Sequence, residues 1–230
     1  MEKAVVFWSG GKDSAMALHK AKKEGILEIF ALVTVLNKDT GTSSAHKLSE
    51  SVIERQALHI GLPLRKIWVN GVVSNTEYEQ AILKVYAELQ NQGISTVIYG
   101  DIFLEDIKTY REELIGKTKL KVQFPLWDIR SDQLMEEFFQ SGFKAIICAV
   151  NETVLQERYL GRVLDENFIS ELPVHVDPAG ENGEFHTFCF DGPIFKDAVE
   201  YKTGVKNFSS SPLKSREPTS VQRFAYIDIL

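Results

Sequence analysis

Short apolar runs and amphipathic stretches take turns along the first half of the chain. Ala4 to Trp8 is a continuous apolar run, which reads as a strand. Asp13 to Glu24 follows with helical spacing and is stopped by Gly25. Ile29 to Leu36 reads as a second strand. From Lys47 to Ile60, the residues Leu48, Val52, Ile53, Ala57 and Ile60 fall on one helical face, and Gly61 ends it. Leu64 to Val69 is the third strand. Ser74-x-x-Glu77 is a capping box, which satisfies orphan amides at a helix start. The helix behind it carries Tyr78, Ala81, Ile82, Val85 and Leu89, with Gly93 closing it. Thr96 to Tyr99 predicts a fourth strand, about Leu104 to Ile115 a helix, and Lys119 to Phe124 a fifth strand.

Strands alternating with helices imply right-handed crossovers and hence a parallel sheet. The expected fold is therefore α/β: a Rossmann-like five-stranded parallel sheet flanked by helices. In such sheets ligands sit at the carboxyl ends of the strands. That directs attention to Ser9 to Ser14, to the segment after Leu36, and to Gly100-Asp101.

Pro125 marks a change of pattern, and a soft boundary is placed there. Residues 1–124 form the sheet domain and 125–230 a smaller α+β domain. The second part contains a short helix from Ser131 to Ser141, a strand from Phe143 to Val150, and a helical pattern up to Leu172. Lys206 to Thr219 is rich in Ser, Lys and Pro and reads as a surface loop. Arg223 to Leu230 reads as a last strand.

Composition narrows the function classes. Of 230 residues, 44% are hydrophobic and 25% charged, ordinary for a soluble globular protein with a core that needs no staples. The formal net charge of -6 argues against general nucleic-acid binding, which needs concentrated positive charge. The two cysteines, Cys148 and Cys189, have no metal-ligand spacing. Cys148 lies in an apolar run and reads as a core residue. No signal-peptide pattern and no membrane-length apolar stretch stands in the sequence, so a cytoplasmic, membrane-free setting is expected.

The most informative string is Ser9-Gly10-Gly11-Lys12-Asp13-Ser14, set between a strand and a helix. Two glycines let backbone approach a polyanion without a Cβ in the way. The free amides and dipole of a helix start favour phosphate. Lys12 adds a point charge, and the hydroxyls of Ser9 and Ser14 can donate. The spacing is neither that of a Walker A loop nor that of a dinucleotide fold. Asp101, just after the fourth strand, is a candidate for holding Mg²⁺ or facing a nucleotide. His46 lies near the end of the second strand and can reach the same place.

A second string runs from Asp177 to Phe188. Asn182-Gly183 is a strong hairpin-turn signal. Period two after it puts Glu184, His186 and Phe188 on one face, with Glu181 across the turn. A carboxylate and an imidazole facing the same way suit cation binding or proton transfer.

The first string resembles the PP-loop of ATP pyrophosphatases. Both strings together resemble the diphthine–ammonia ligase family of N-type ATP pyrophosphatases, over roughly residues 3 to 205. Further matches are Ser44-Ala45-His46, Glu54-Arg55-Gln56-Ala57, Tyr99-Gly100-Asp101-Ile102, Tyr110-Arg111-Glu112, Phe124-Pro125-Leu126-Trp127 and Leu160-Gly161-Arg162. The resemblance implies an ATP-binding sheet domain and a family-specific substrate or amidation domain. It also implies a reaction, in which ATP adenylates a carboxylate, pyrophosphate leaves, and ammonia takes the acyl group. On this reading Ser9, Gly10, Gly11, Lys12, Asp13, Ser14, His46, Gly100 and Asp101 bind ATP, and Asp13 and Asp101 hold Mg²⁺. Lys12 serves pyrophosphate, while Glu181, Glu184 and His186 handle substrate or ammonia. A homodimer is compatible with it.

Members tied to diphthamide carry Glu-Gly-Gly-Glu-(Phe/Tyr)-Glu where this chain has Glu181-Asn182-Gly183-Glu184-Phe185-His186, a variant that resembles bacterial members. Ala179 stands where many relatives have Cys. The expectation is an unidentified carboxylate other than diphthine on elongation factor 2. Alternative readings are a PP-loop adenylating enzyme acting on tRNA or a small metabolite, and a non-catalytic ATP-binding module.

Overall fold

The computed structural model describes residues 1–43, 46–70, 75–212 and 221–230. Its first part holds the strands β1 (Glu2–Phe7), β2 (Leu27–Asn37), β3 (Leu64–Val69), β4 (Ile94–Ile98) and β5 (Lys121–Gln123). Between them run the helices α1 (Lys12–Glu24), α2 (Glu50–Ile60), α3 (Asn75–Asn91) and α4 (Glu105–Gly116). The strands form one sheet in the order β3-β2-β1-β4-β5, and every pairing is parallel.

Parallel sheets must be covered on both faces, and the apolar alternation of β1 shows how. Ala4 and Val6 face the layer of α1 and α2, where Met16, Leu18, Val52 and Ile53 are buried. Val5 faces the other way, against Ile82 and Tyr86 of α3 and Leu114 and Ile115 of α4. Full burial of each such side chain contributes on the order of 1.5–3 kcal/mol. The order of strands also fixes where a ligand goes. The chain moves outward from β1 through β2 to β3, then returns to the other side for β4. The crevice between the carboxyl ends of β1 and β4 is thus a topological switch point. The loop after β1 and Gly100-Asp101 after β4 both open onto it.

The second part comprises α5 (Ser131–Gln140), β6 (Lys144–Asn151), α6 (Glu166–Ser170), β7 (Phe185–Asp191), β8 (Thr203–Pro212) and β9 (Val221–Ile229). Its four strands form an antiparallel sheet ordered β7-β6-β9-β8. Ile146, Ile147 and Phe188 of this sheet belong to the same buried cluster as α1 and α2, so the core runs on from one sheet to the next. Both cysteines are buried and free. No described helix is long and apolar enough to cross a membrane.

Three local expectations change. The helical pattern up to Leu172 resolves into a 3-10 turn at Glu157–Tyr159 and the short α6, and its apolar residues Leu160, Leu164 and Phe168 are buried by tertiary packing. The Asn182-Gly183 turn forms but joins no hairpin, because β7 takes β6 as its partner. The stretch before the turn contains Pro173 and Pro178, which cannot donate to a ladder, and the Asp177 amide is spent on the Glu184 side chain. Finally, the first half of the expected loop, from Lys206 to Pro212, is strand β8, zipped to β9. The Ser74 capping residue and positions 213–219 lie outside the described residues.

Candidate functional site

A cavity of about 330 Å³ opens at the switch point. Its floor is the head of α1. Gly11 is the helix cap and offers no capping side chain of its own; Thr187 takes the Lys12 amide, which leaves the remaining first-turn polarity for a ligand. The loop is braced from within and from behind. The Ser9 hydroxyl accepts from the Gly11 amide at 3.3 Å, and the Ser14 hydroxyl donates to the Gly11 carbonyl at 2.9 Å. Gly10 sits at φ 87, a left-handed conformation that suits glycine. Its carbonyl accepts from the Gln56 side chain at 2.8 Å and from the Cys189 amide at 2.9 Å.

Gln56 was not singled out as a site residue from the sequence, yet it ties three segments together. Wholly buried on α2, it also accepts from the Trp8 indole at 2.9 Å and donates to the Cys189 carbonyl at 2.6 Å. Thr187 was missed as well. Its hydroxyl accepts from the Lys12 amide at 3.0 Å, which docks β7 directly on the loop.

Lys12 is 4% exposed. Its ammonium pairs with Asp13 at 2.8 Å and lies 5.7 Å from the centre of the Phe185 ring. Burial raises the Asp13 carboxyl above its ordinary range, with the Lys12 charge opposing. Asp101 lines the same cavity but is held by Arg111, at 2.6 and 3.1 Å. That guanidinium lies 4.0 Å from the centre of the Tyr99 ring. Arg111 thus also belongs to the lining without having been proposed as a site residue from the sequence, because its partner lies ten residues away, before α4.

The 181–186 string divides. Glu181 reaches the cavity, where its carboxylate accepts from the Ile102 amide at 2.9 Å, across the junction of the two sheets. Burial, then the nearby Asp13 charge, push its carboxyl up to about 7. His186 also lines the cavity, with its ring 4.7 Å from that of His46. Burial first, then Lys12, bring His186 down to about 4. His46 is lowered well below its ordinary value, by burial first, then by His186 and by Lys12. Glu184 is not in the wall. It is buried behind the turn, where one oxygen accepts from the Asp177 amide at 3.0 Å and from Asn182 at 3.2 Å. It therefore does not join His186 in the cavity wall, although its carbonyl accepts from the Asn151 amide of β6 at 2.8 Å.

Of the sequence-proposed residues, Ser9, Lys12, Asp13, Ser14, His46, Gly100, Asp101, Glu181 and His186 converge on this one cavity. Gly10 and Gly11 support its floor from below. Gly100 packs so close to α1 that a Cβ there would meet the Asp13 carbonyl at 2.8 Å. Among the described residues no three His, Cys, Asp or Glu side chains gather into a metal cage. The Thr34 hydroxyl in the cavity wall is buried without a partner, a hydrogen bond open to a ligand.

The fold and the loop define an α/β nucleotide-binding protein with a strand–glycine loop–helix anion site and an added antiparallel domain. Family comparison makes this specific. The diphthamide synthase N-terminal domain family matches residues 2–122 and the diphthamide synthase C-terminal domain family residues 130–212, so the chain belongs to the diphthamide synthase family. It is 27% identical over 221 residues to the diphthine–ammonia ligase of Rattus norvegicus, covering 85% of this chain and 81% of that one. For the diphthine–ammonia ligase of Homo sapiens the identity is 27% over 218 residues, covering 83% and 79%. The diphthine–ammonia ligase of Schizosaccharomyces pombe is 27% identical over 210 residues, 83% of this chain but 34% of that longer protein.

Proposed function

We propose that the protein is an ATP-dependent ligase that adenylates a carboxylate, releases pyrophosphate, and transfers the acyl group to ammonia. The observation that supports this reading is the glycine-floored head of α1, where Gly11 bears no capping side chain, set beside a buried lysine in a cavity at the switch point. Residues 1–124 would bind ATP, and residues 125–230 would supply the acceptor side through Glu181 and His186.

Carboxylates do not react with amines in water, because the oxygen leaves poorly. Attack of the carboxylate on the α-phosphorus breaks the bond to the β-phosphate and turns that oxygen into a good leaving group. Pyrophosphate departs with concentrated negative charge, which the loop amides and Lys12 are placed to stabilise. Ammonia then adds to the acyl carbon and AMP leaves. Glu181 is the group suited to take the proton the nitrogen sheds, since its carboxyl is pushed up to about 7. Glu184 would act through Glu181, by holding the turn from behind.

The site fits Mg²⁺. This ion usually keeps several waters and takes one or two carboxylates plus substrate phosphates. Asp13 and Asp101 offer that much, once each loosens its present partner. Mg²⁺ would supply charge neutralisation on the phosphates. A sulfur-carrying reaction on tRNA finds no support in the cysteines: both are buried, and burial pushes both thiols up.

The carboxylate itself we place outside diphthine. Where diphthamide-linked members carry a glutamate, this chain puts His186, beside His46 and Lys12, in the bacterial-type variant of the signature. A small carboxylate metabolite is the reading this wall favours. The reaction type is tested by incubating the protein with ATP, Mg²⁺, ammonium and a panel of carboxylates, then separating the nucleotides. AMP and pyrophosphate are expected; ADP as sole product would overturn the mechanism.

A further inference from the structure

The loop accounts for one side of the polyanion site. Facing it are two imidazoles drawn from distant parts of the chain. His46 follows β2, and His186 is on β7, with ring centres 4.7 Å apart. A Cβ built on Gly11 would come within 2.5 Å of His46 Nε2, so that nitrogen looks straight onto the phosphate loop. The pair is held in place. The Cys148 thiol donates to the His46 carbonyl at 3.6 Å, and the next residue, Lys47, adopts φ 54, a left-handed conformation that a side-chain-bearing residue enters only under constraint. The His186 ring stacks on Phe224 at 6.1 Å and 16°.

The charged and titratable groups around the pair come from α1, β6 and β9 and from the segment after β2. Lys12 of α1 bears on both rings, and Asp13 beside it is turned to Lys12. Lys47 lies over Tyr226 of β9, at 5.8 Å. Cys148 of β6 is a buried thiol. Both imidazoles are therefore neutral at pH 7 in the free protein, for reasons of burial and of the lysine charge. A chain of phosphates laid along the loop would invert that field, since an opposite charge within about 4–6 Å favours the charged imidazole.

We propose that His46 and His186 form a second anion grip, which takes up one proton from solvent when a polyphosphate enters beside the loop and gives it back as pyrophosphate departs. This rests on the proposed site for ATP and deepens it. The paired rings would match the phosphate charge while the site is loaded, then lose that attraction as the proton leaves, so release is not opposed by a second fixed cation beside Lys12.

The test uses the full-length protein with pyrophosphate and Mg²⁺ as probe. The imidazole signals are followed by nuclear magnetic resonance near pH 6 and assigned with His46→Asn and His186→Asn. The expected result is two neutral rings in the free protein and one protonated ring with pyrophosphate bound. Titration calorimetry in two buffers of different ionisation heat should show proton uptake that each variant reduces, and each variant should bind pyrophosphate roughly tenfold more weakly. Both rings staying neutral while pyrophosphate is bound would overturn the proposal, as would unchanged affinity in both variants. Should pyrophosphate not bind at all, the phosphate loop reading falls and takes the grip with it. The resonance readout on the unmodified chain stands even if a variant folds poorly.

Discussion

Glu181 and Glu184 differ by three positions and by everything around them. Glu184 is an internal brace, taken up by an amide and an asparagine. Glu181 faces the cavity with its carboxyl pushed up to about 7, chiefly by burial. That shift has a consequence for stability. The unfolded carboxyl ionises near 4.5 and the native one only near 7, so between these values the unfolded chain gives up a proton that the native state retains. The stability associated with Glu181 is thus complete below pH 4.5 and is lost as pH rises through about 7. Glu181→Gln keeps an oxygen for the Ile102 amide and removes the ionisation. Its melting temperature should match the parent near pH 4.5 and exceed it by a margin that widens up to about pH 8, while amide formation is lost. A margin independent of pH would show that the carboxyl is not held neutral.

At the scale of elements, the phosphate loop depends on a helix that does not touch phosphate. Gln56 on α2 bonds Trp8, Gly10 and Cys189, which belong to the β1 end, the loop and β7. Gln56→Leu conserves volume but leaves the Trp8 indole without its partner, in a buried setting where an unsatisfied polar group costs about 1–3 kcal/mol. We expect a lower melting temperature by thermal unfolding and a raised KM for ATP, because Gly10 loses a hydrogen bond that sets the loop. Gly11→Ala separates geometry from stability: its Cβ would press on His46 Nε2 at 2.5 Å and the Thr187 carbonyl at 3.1 Å. Pyrophosphate binding should fall at least tenfold, a loss of about 1.4 kcal/mol, with the fold retained by circular dichroism. The loop was legible in the sequence because its chemistry is local: a strand, two glycines and a helix start within one short string. Strand β8 was not, because a Ser- and Lys-rich segment becomes a strand only when β9 supplies its ladder. Thr187 was invisible for a similar reason, since the amide it accepts from lies 175 residues away. Gln56 did leave a signal, a polar residue on the apolar stripe marked by Val52, Ile53 and Ile60.

At the scale of the whole molecule, the site belongs to neither sheet alone. The parallel sheet contributes the loop, Asp101 and Arg111; the antiparallel part contributes Glu181, His186 and Thr187; and the Glu181–Ile102 hydrogen bond spans the junction. On the proposed reading, the acceptor substrate would meet the wall contributed by the second part, and that wall would decide which carboxylate is used. A glutamate at position 186 would add a fixed negative charge suited to the trimethylammonium group of diphthine. In the free protein His186 is brought down to about 4, by burial and then by the Lys12 charge, and is neutral at physiological pH. Such a wall attracts a cationic group less and tolerates an anionic metabolite better. Replacing His186 by Glu together with Asn182→Gly should weaken use of the native substrate, both by the new charge and by removing the Asn182 contact to Glu184 at 3.2 Å. The unmodified protein is expected not to restore diphthamide in a eukaryotic strain lacking its own diphthine–ammonia ligase, even when expressed as a folded, ATP-cleaving enzyme. Robust rescue in that strain would show that the histidine-bearing wall accepts diphthine, and the charge argument at position 186 would have to be abandoned.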